Sequence, residues 1–279
     1  TKTASKPYTV TPTANAGTVT AGTTPQCIGA TTTYTVSGVV LGGGSGAWSS
    51  SNGSVATVNA STGLVTAVGA GTCNIIYTVT GGCGGTKTAS QPYTVTPTAS
   101  AGTVAAGTTP QCIGATTTYT VSGVVLGGGS GAWSSSNGSV ATVNASTGLV
   151  TAVGAGTCNI IYTVTGGCGG TKTASQPYTV TPTASAGTVA AGTTPQCIGA
   201  TTTYTVSGVV LGGGSGAWSS SNGTVATVNA STGLVTAVGA GTCNIIYTVT
   251  GGCGGTKTAS QPYTVTPTAS AGTVAAGTT

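Results

Sequence analysis

The sequence contains no aspartate, glutamate, histidine, methionine or phenylalanine, and its only charged side chains are five lysines. Charged residues make up 2% of the 279 positions, against about 25% in an ordinary soluble domain. Acid–base chemistry needs a carboxylate, an imidazole or a comparably tuned group, and an activated nucleophile needs a base beside it. No catalytic residue is therefore assigned, and the chain is read as not being an enzyme. Calcium asks for carboxylate oxygens, and zinc for closely spaced thiols or imidazoles. Cys73 and Cys83, without histidine, do not meet that spacing, so neither metal nor cofactor is expected. The run Gly42-Gly43-Gly44-Ser45-Gly46 lacks the Lys-Ser/Thr that ends a phosphate loop and reads as a turn. No stretch of about 18 apolar residues exists to span a bilayer, and no signal peptide opens at Thr1, as expected of a mature or excised segment.

What is present is repetition. The segment Thr1-Lys2-Thr3-Ala4-Ser5 returns at Thr86, Thr171 and Thr256, a period of 85 residues with few changes, among them Lys6 to Gln91 and Ser54 to Thr224. Such a period overrides length as a guide to domain count. The lysines at positions 2, 6, 87, 172 and 257 are spread along the array. Nucleic-acid binding gathers basic residues on one surface, so no nucleic acid is expected as a partner.

Within each repeat the apolar pattern has a period of two. In Cys73-Asn74-Ile75-Ile76-Tyr77-Thr78-Val79-Thr80 the odd positions form one apolar face, the mark of a half-buried strand. Tyr34 and Val36 read inward in the same way, as do alternate residues of Tyr93-Thr94-Val95-Thr96. Val55 to Val58 and Leu64 to Val68 flank the turn-like Asn59-Ala60-Ser61-Thr62-Gly63, as in a hairpin. No helical period occurs. About seven short strands per repeat predict an all-β fold of tandem two-sheet sandwiches. Trp48, Trp133 and Trp218, one per repeat, are the expected core anchors, joined in the first repeat by Tyr34, Tyr77, Ile75, Val55 and Leu64. The alternative role for these tryptophans is a sugar-stacking platform in a carbohydrate-binding module. It is disfavoured because only Ser49, Ser50, Ser51 and Asn52 follow Trp48.

The runs Gln26-Cys27-Ile28-Gly29-Ala30, Trp48-Ser49-Ser50-Ser51-Asn52, Val55-Ala56-Thr57-Val58, Gly63 to Thr72 and Ile76-Tyr77-Thr78-Val79, closed by Cys83-Gly84, resemble the group 2 bacterial immunoglobulin-like repeat. Such repeats are strung together in giant surface proteins of Bacteroidota-type bacteria. The resemblance implies Greek-key sandwiches over residues 14–98, 99–183 and 184–268. Residues 1–13 become the closing strand of a preceding repeat, and 269–279 the opening strand of a following one. Exchange of these end strands between subunits is the competing reading. The resemblance also implies a disulfide within each repeat, Cys27 to Cys83, Cys112 to Cys168 and Cys197 to Cys253, worth about 4 kcal/mol on a chain-entropy estimate. The third cysteine, Cys73, Cys158 or Cys243, has the strand phase of a buried thiol; alternatively Cys73 replaces Cys83 as the partner of Cys27.

These features imply an extracellular, cell-surface structural shaft, the stalk of an adhesin or filament, whose partners are neighbouring repeats of the same chain. The alternative is a fibre or sheath subunit that associates laterally through its nearly uncharged walls. Asn52, Asn59, Asn137, Asn144, Asn222 and Asn229 each begin an Asn-X-Ser/Thr triplet and are candidate carriers of covalent glycans.

With no Asp, Glu or His, no side chain changes charge between about pH 3 and pH 7. The melting temperature, followed by circular dichroism, should stay nearly flat across that window and be indifferent to EDTA. A fall of more than about 10 °C at the acid end would contradict this reading of the titratable groups.

Overall fold

The structure, a computed structural model, describes residues 1–272. Among the described residues there is no helix, and 27 strands fall into three sets of nine. In the first set β1 is Thr18–Thr20, β2 Gln26–Cys27, β3 Thr31–Thr33, β4 Thr35–Ser37, β5 Ser45–Ser50, β6 Ala56–Val58, β7 Leu64–Ala67, β8 Gly71–Thr80 and β9 Lys87–Thr96. The same series recurs over residues 103–181 and 188–266. The described chain divides into two compact units, one of residues 1–105, 120–134 and 161–175, the other of 106–119, 135–160 and the described residues from 176 on. Each holds one complete repeat and part of the middle one.

A complete repeat is a sandwich of a four-stranded sheet in the order β2-β9-β8-β5 and a three-stranded sheet β3-β7-β6, with the pair β1-β4 beside them. All pairings are antiparallel except β2 with β9, where Gln26 lies opposite Val95 and Cys27 opposite Thr96. The strand count exceeds the expected seven or so because the extended run from Thr31 to Ser37 is cut at Tyr34. There the backbone leaves the β3-β7 ladder, donates its N–H to the Gly63 carbonyl and resumes as β4 against β1.

The core is built from small and β-branched side chains around aromatic rings. Val19, Tyr34, Trp48, Val55, Ala56, Val65, Ala67, Cys73, Ile75, Tyr93 and Val95 form one buried cluster. Trp48 meets Tyr77 edge to face at 5.0 Å, directly across the β5-β8 ladder. Such pairs add about 0.5–1.5 kcal/mol beyond their burial. Leu64, expected in this core, is 43% exposed. As the first residue after the turn it takes the outward phase of β7, and Val65 and Ala67 fill the inward one. The hairpin itself forms as its sequence suggests. Asn59 Oδ1 accepts the N–H groups of Ser61 and Thr62, and Gly63 adopts φ +71° directly under the Trp48 ring, where a Cβ would collide.

Two tyrosines of opposite hydrogen-bonding fate sit between the sheets. The Tyr34 hydroxyl donates to the Pro92 carbonyl at 2.8 Å and ties the β3–β4 segment to β9. That carbonyl points away from β8, and so does the position of the N–H that proline lacks, so Pro92 costs the β8-β9 ladder nothing. The buried Tyr93 hydroxyl, 6.0 Å between ring centroids from Tyr34, has no hydrogen-bond partner among the described residues. Burial first, then the Tyr93 hydroxyl and the Cys73 thiol, push Tyr34 up to about 12. Tyr119 and Tyr204 are raised in the same way, to about 12. Tyr93, Tyr178 and Tyr263 are raised too, again chiefly by burial.

Two outcomes follow from this pair. Tyr34→Phe should destabilise its repeat by about 1 kcal/mol, whereas Tyr93→Phe should be neutral or stabilising, because it removes a buried hydroxyl that has nothing to bond. Denaturant titration of the two variants compares them directly. Unfolded tyrosines ionise near pH 10, while the folded ones hold their protons to a higher pH. The stability they contribute is therefore complete below about pH 10 and lost as pH rises toward 12. A melting temperature unchanged at pH 12 would contradict this assignment.

Candidate functional site at the repeat junction

The residues singled out in the sequence do not converge on a catalytic centre. Trp48, Trp133 and Trp218 are each 6% exposed and offer no free face for stacking a sugar. Asn52, Asn59 and their copies lie on exposed turns, each with Oδ1 accepting hydrogen bonds from groups two or three residues on. Cys73, Cys158 and Cys243 are buried free thiols. Beside Cys73 lies a shallow depression of about 280 Å³ lined by Ser51, Thr72, Cys73, Asn74 and Pro92, with no acid or base to act on a ligand. Among the described residues no group of three or more potential metal-binding side chains occurs, and no helix is long and apolar enough to cross a membrane.

What the fold does bring together is one repeat and the next. Cys27 is bonded to Cys168, and Cys112 to Cys253, each across 141 positions with the Cα atoms 5.4 Å apart. The expected pairings within a repeat, Cys27 to Cys83, Cys112 to Cys168 and Cys197 to Cys253, are thus replaced. Geometry gives the reason. Cys27 lies beside Thr96, at the end of β9, whereas Cys83 lies in the turn that precedes its first residue, Lys87. Ten residues of extended chain separate these two ends by about 30 Å, and disulfides require Cα atoms within about 7 Å. Cys73 is no substitute partner, since it faces Tyr93 in the core.

Beyond Thr96 the chain passes through Pro97 and Thr98 into the next repeat, and the same short link delivers Cys168 to Cys27. The Ala99 N–H donates to the Cys168 carbonyl at 2.7 Å, and the Cys168 N–H donates to the Gly127 carbonyl at 2.8 Å. Two glycines let the link lie flat on its seat. A Cβ on Gly127 would come within 2.8 Å of the Pro97 oxygen and the Ala99 nitrogen, and one on Gly169 within 2.7 Å of Thr98 Cγ2. Ala99, Ala101 and Val164 form a small buried cluster beneath, with Val124, Tyr162 and Ala174 against it. The second unit reproduces this seat around Pro182, Gly212, Cys253 and Gly254. At both junctions a backbone clamp, a glycine seat and a disulfide act on one link.

The family model of the bacterial Ig-like domain (group 2) matches residues 6–90, 89–175 and 174–260. The chain belongs to the group 2 bacterial Ig-like domain family. No curated protein matches it in sequence. Among solved structures, these bacterial Ig-like repeats are similar to mouse cadherin-23 EC22-24, at 11% identity over 86% of this chain and 92% of that chain, with a TM-score of 0.37. They are similar also to human CDH23 EC21-23, at 11% identity over 78% and 88%, TM-score 0.40. Domains 1-6 of the surface layer protein SbsC match at 16% identity over 93% of this chain and 41% of that one, TM-score 0.29. Scores this low carry no functional weight.

If the disulfides serve junctions and not interiors, reduction should act locally. After treatment with a phosphine reductant, amide hydrogen exchange should quicken at Ala99 and Cys168 while Ile75 and Val79, in the middle of β8, keep their protection. Loss of protection throughout the sandwich would show that the bonds hold the repeats themselves together.

Proposed function

We propose that this chain is the structural shaft of an extracellular filament or adhesin stalk, a run of Ig-like sandwiches whose task is to transmit position and load between whatever lies beyond its two ends. The observation that carries this reading is the junction. Every complete link between repeats combines a backbone clamp, a glycine seat and a disulfide, and each is built from the same residues 85 positions apart. Uniform repeats with a reinforced joint suit a function set by length and cohesion. Disulfides belong to an oxidising compartment, which supports placement outside the cell. The strand pairing of β9 with β2 and β8, and of their copies, supports repeat units of 14–98, 99–183 and 184–268.

A second reading, lateral assembly into a fibre or sheath, has its own observation. Ile28, Leu41, Leu64 and Val68 stand exposed in the first repeat, as do their copies, on walls with almost no charge to keep neighbours apart. Sedimentation and electron microscopy of the oxidised chain over a range of concentrations separate the two. Single threads at all concentrations are expected for the stalk. Regular multi-chain bundles of constant width would replace it with the fibre.

A further inference from the structure

Of the six cysteines at junction positions, four are bonded and two are exposed thiols, Cys83 and Cys197. The two are not alike. Cys83 is a turn cysteine, equivalent to the bonded Cys168 and Cys253, and Cys197 is a β2-type cysteine, equivalent to the bonded Cys27 and Cys112. We infer that Cys83 and Cys197 are junction thiols, each built to bond the complementary cysteine of an adjoining repeat of the same sequence continuous with this chain. The inference rests on the reading of the chain as a run of such repeats and extends it to specific atoms.

The seat around Cys83 is already in the junction conformation. The Ala14 N–H donates to the Cys83 carbonyl at 2.7 Å, and the Cys83 N–H donates to the Gly42 carbonyl at 2.9 Å, as Ala99, Cys168 and Gly127 do at the bonded joint. A Cβ on Gly42 would come within 2.7 Å of the Pro12 oxygen, and one on Gly84 within 2.7 Å of Thr13 Cγ2, matching Pro97 and Thr98. The link is thus laid down as if it entered from a preceding sandwich.

The segment before the link carries the signature of that sandwich's last strand. Tyr8 and Val10 are 90% and 74% exposed, whereas Tyr93 and Val95, the same residues one period on, are 0% and 2% exposed. A strand in register with its own copies would place Thr11 beside a β2 cysteine, as Thr96 stands beside Cys27. That cysteine would face Cys83. Cys168 and Cys253, where such a neighbour is present, are only 8% and 9% exposed. Bond formation needs a disulfide oxidant such as glutathione disulfide. One protein thiolate attacks it and releases a glutathione thiolate, and the second protein thiolate then displaces the other, so two protein thiols become one disulfide and two glutathiones are reduced.

The test lengthens the full chain by placing another copy of Thr1–Gly85 ahead of Thr1 and folds it with glutathione disulfide. Maleimide labelling without denaturant, peptide mapping and hydrogen exchange at Tyr8 to Val10 are then compared with the 279-residue chain. In the original chain Cys83 and Cys197 should label and Cys73 should not. In the lengthened one Cys83 should lose its labelling and map to the added β2 cysteine, the added turn cysteine should label in its place, and Tyr8 to Val10 should become protected. Protection at Tyr8 to Val10 with Cys83 still a thiol would overturn the inference and leave the tandem reading standing. Absence of protection would overturn both. Covalent oligomers of the original chain joined Cys83 to Cys197 would show that a second copy, not a continuous repeat, is the partner, and would overturn the inference as stated.

Discussion

The structure depends on one strand, Lys87–Thr96, and on its being hydrogen-bonded from two sides. Along β8 it is paired from Val79 opposite Lys87 to Gly71 opposite Val95, and at its far end it takes β2 in parallel. Because the chain then leaves directly through Pro97 and Thr98, the element that completes one sandwich also leads straight into the next. The β2 pairing brings Cys27 to the place where Cys168 arrives. Without this strand the four-stranded sheet loses a central member, Tyr34 loses the Pro92 carbonyl, and the junction loses both of its anchors.

The chemistry of the side chains explains why so much rests on the backbone. With five lysines and no acids, the chain forms no ion pairs between side chains. The core, lacking phenylalanine and methionine, is filled by valine, alanine, isoleucine and a few rings, which pack well on pleated surfaces but bury modest area each. The ladders and close-fitting glycine turns give such a core a defined shape. The junction disulfides add a covalent constraint between one repeat and the next.

Much of this was legible in the sequence because the 85-residue period and the two-residue alternation are strong signals. The strand containing Cys73, Ile75 and Val79, the hairpin around Gly63 and the family resemblance all follow from them. Leu64 was misleading because hydrophobicity alone does not set phase. The residue after a tight turn faces whichever way the turn sends it, and here Val65 and Ala67 held the inward positions. The disulfide partners were hidden for a different reason. In a near-perfect repeat, a cysteine in the same sandwich and its copy in the next have identical local sequences, so no motif distinguishes them. Only the length of β9 and its parallel contact with β2 break that degeneracy, and neither is visible before the strands are paired.

The bond pattern makes the array topologically redundant. The covalent ring closed by Cys27 and Cys168 and the one closed by Cys112 and Cys253 overlap, sharing the stretch between Cys112 and Cys168. A protease that cuts the backbone once, at any peptide bond between Cys27 and Cys253, leaves every residue still joined to every other through at least one sulfur bridge. The chain would keep its mass in a non-reducing separation and fall into pieces only once reduced. A chain bonded in this way tolerates single nicks in its exposed turns, the places where proteases find unfolded backbone most readily.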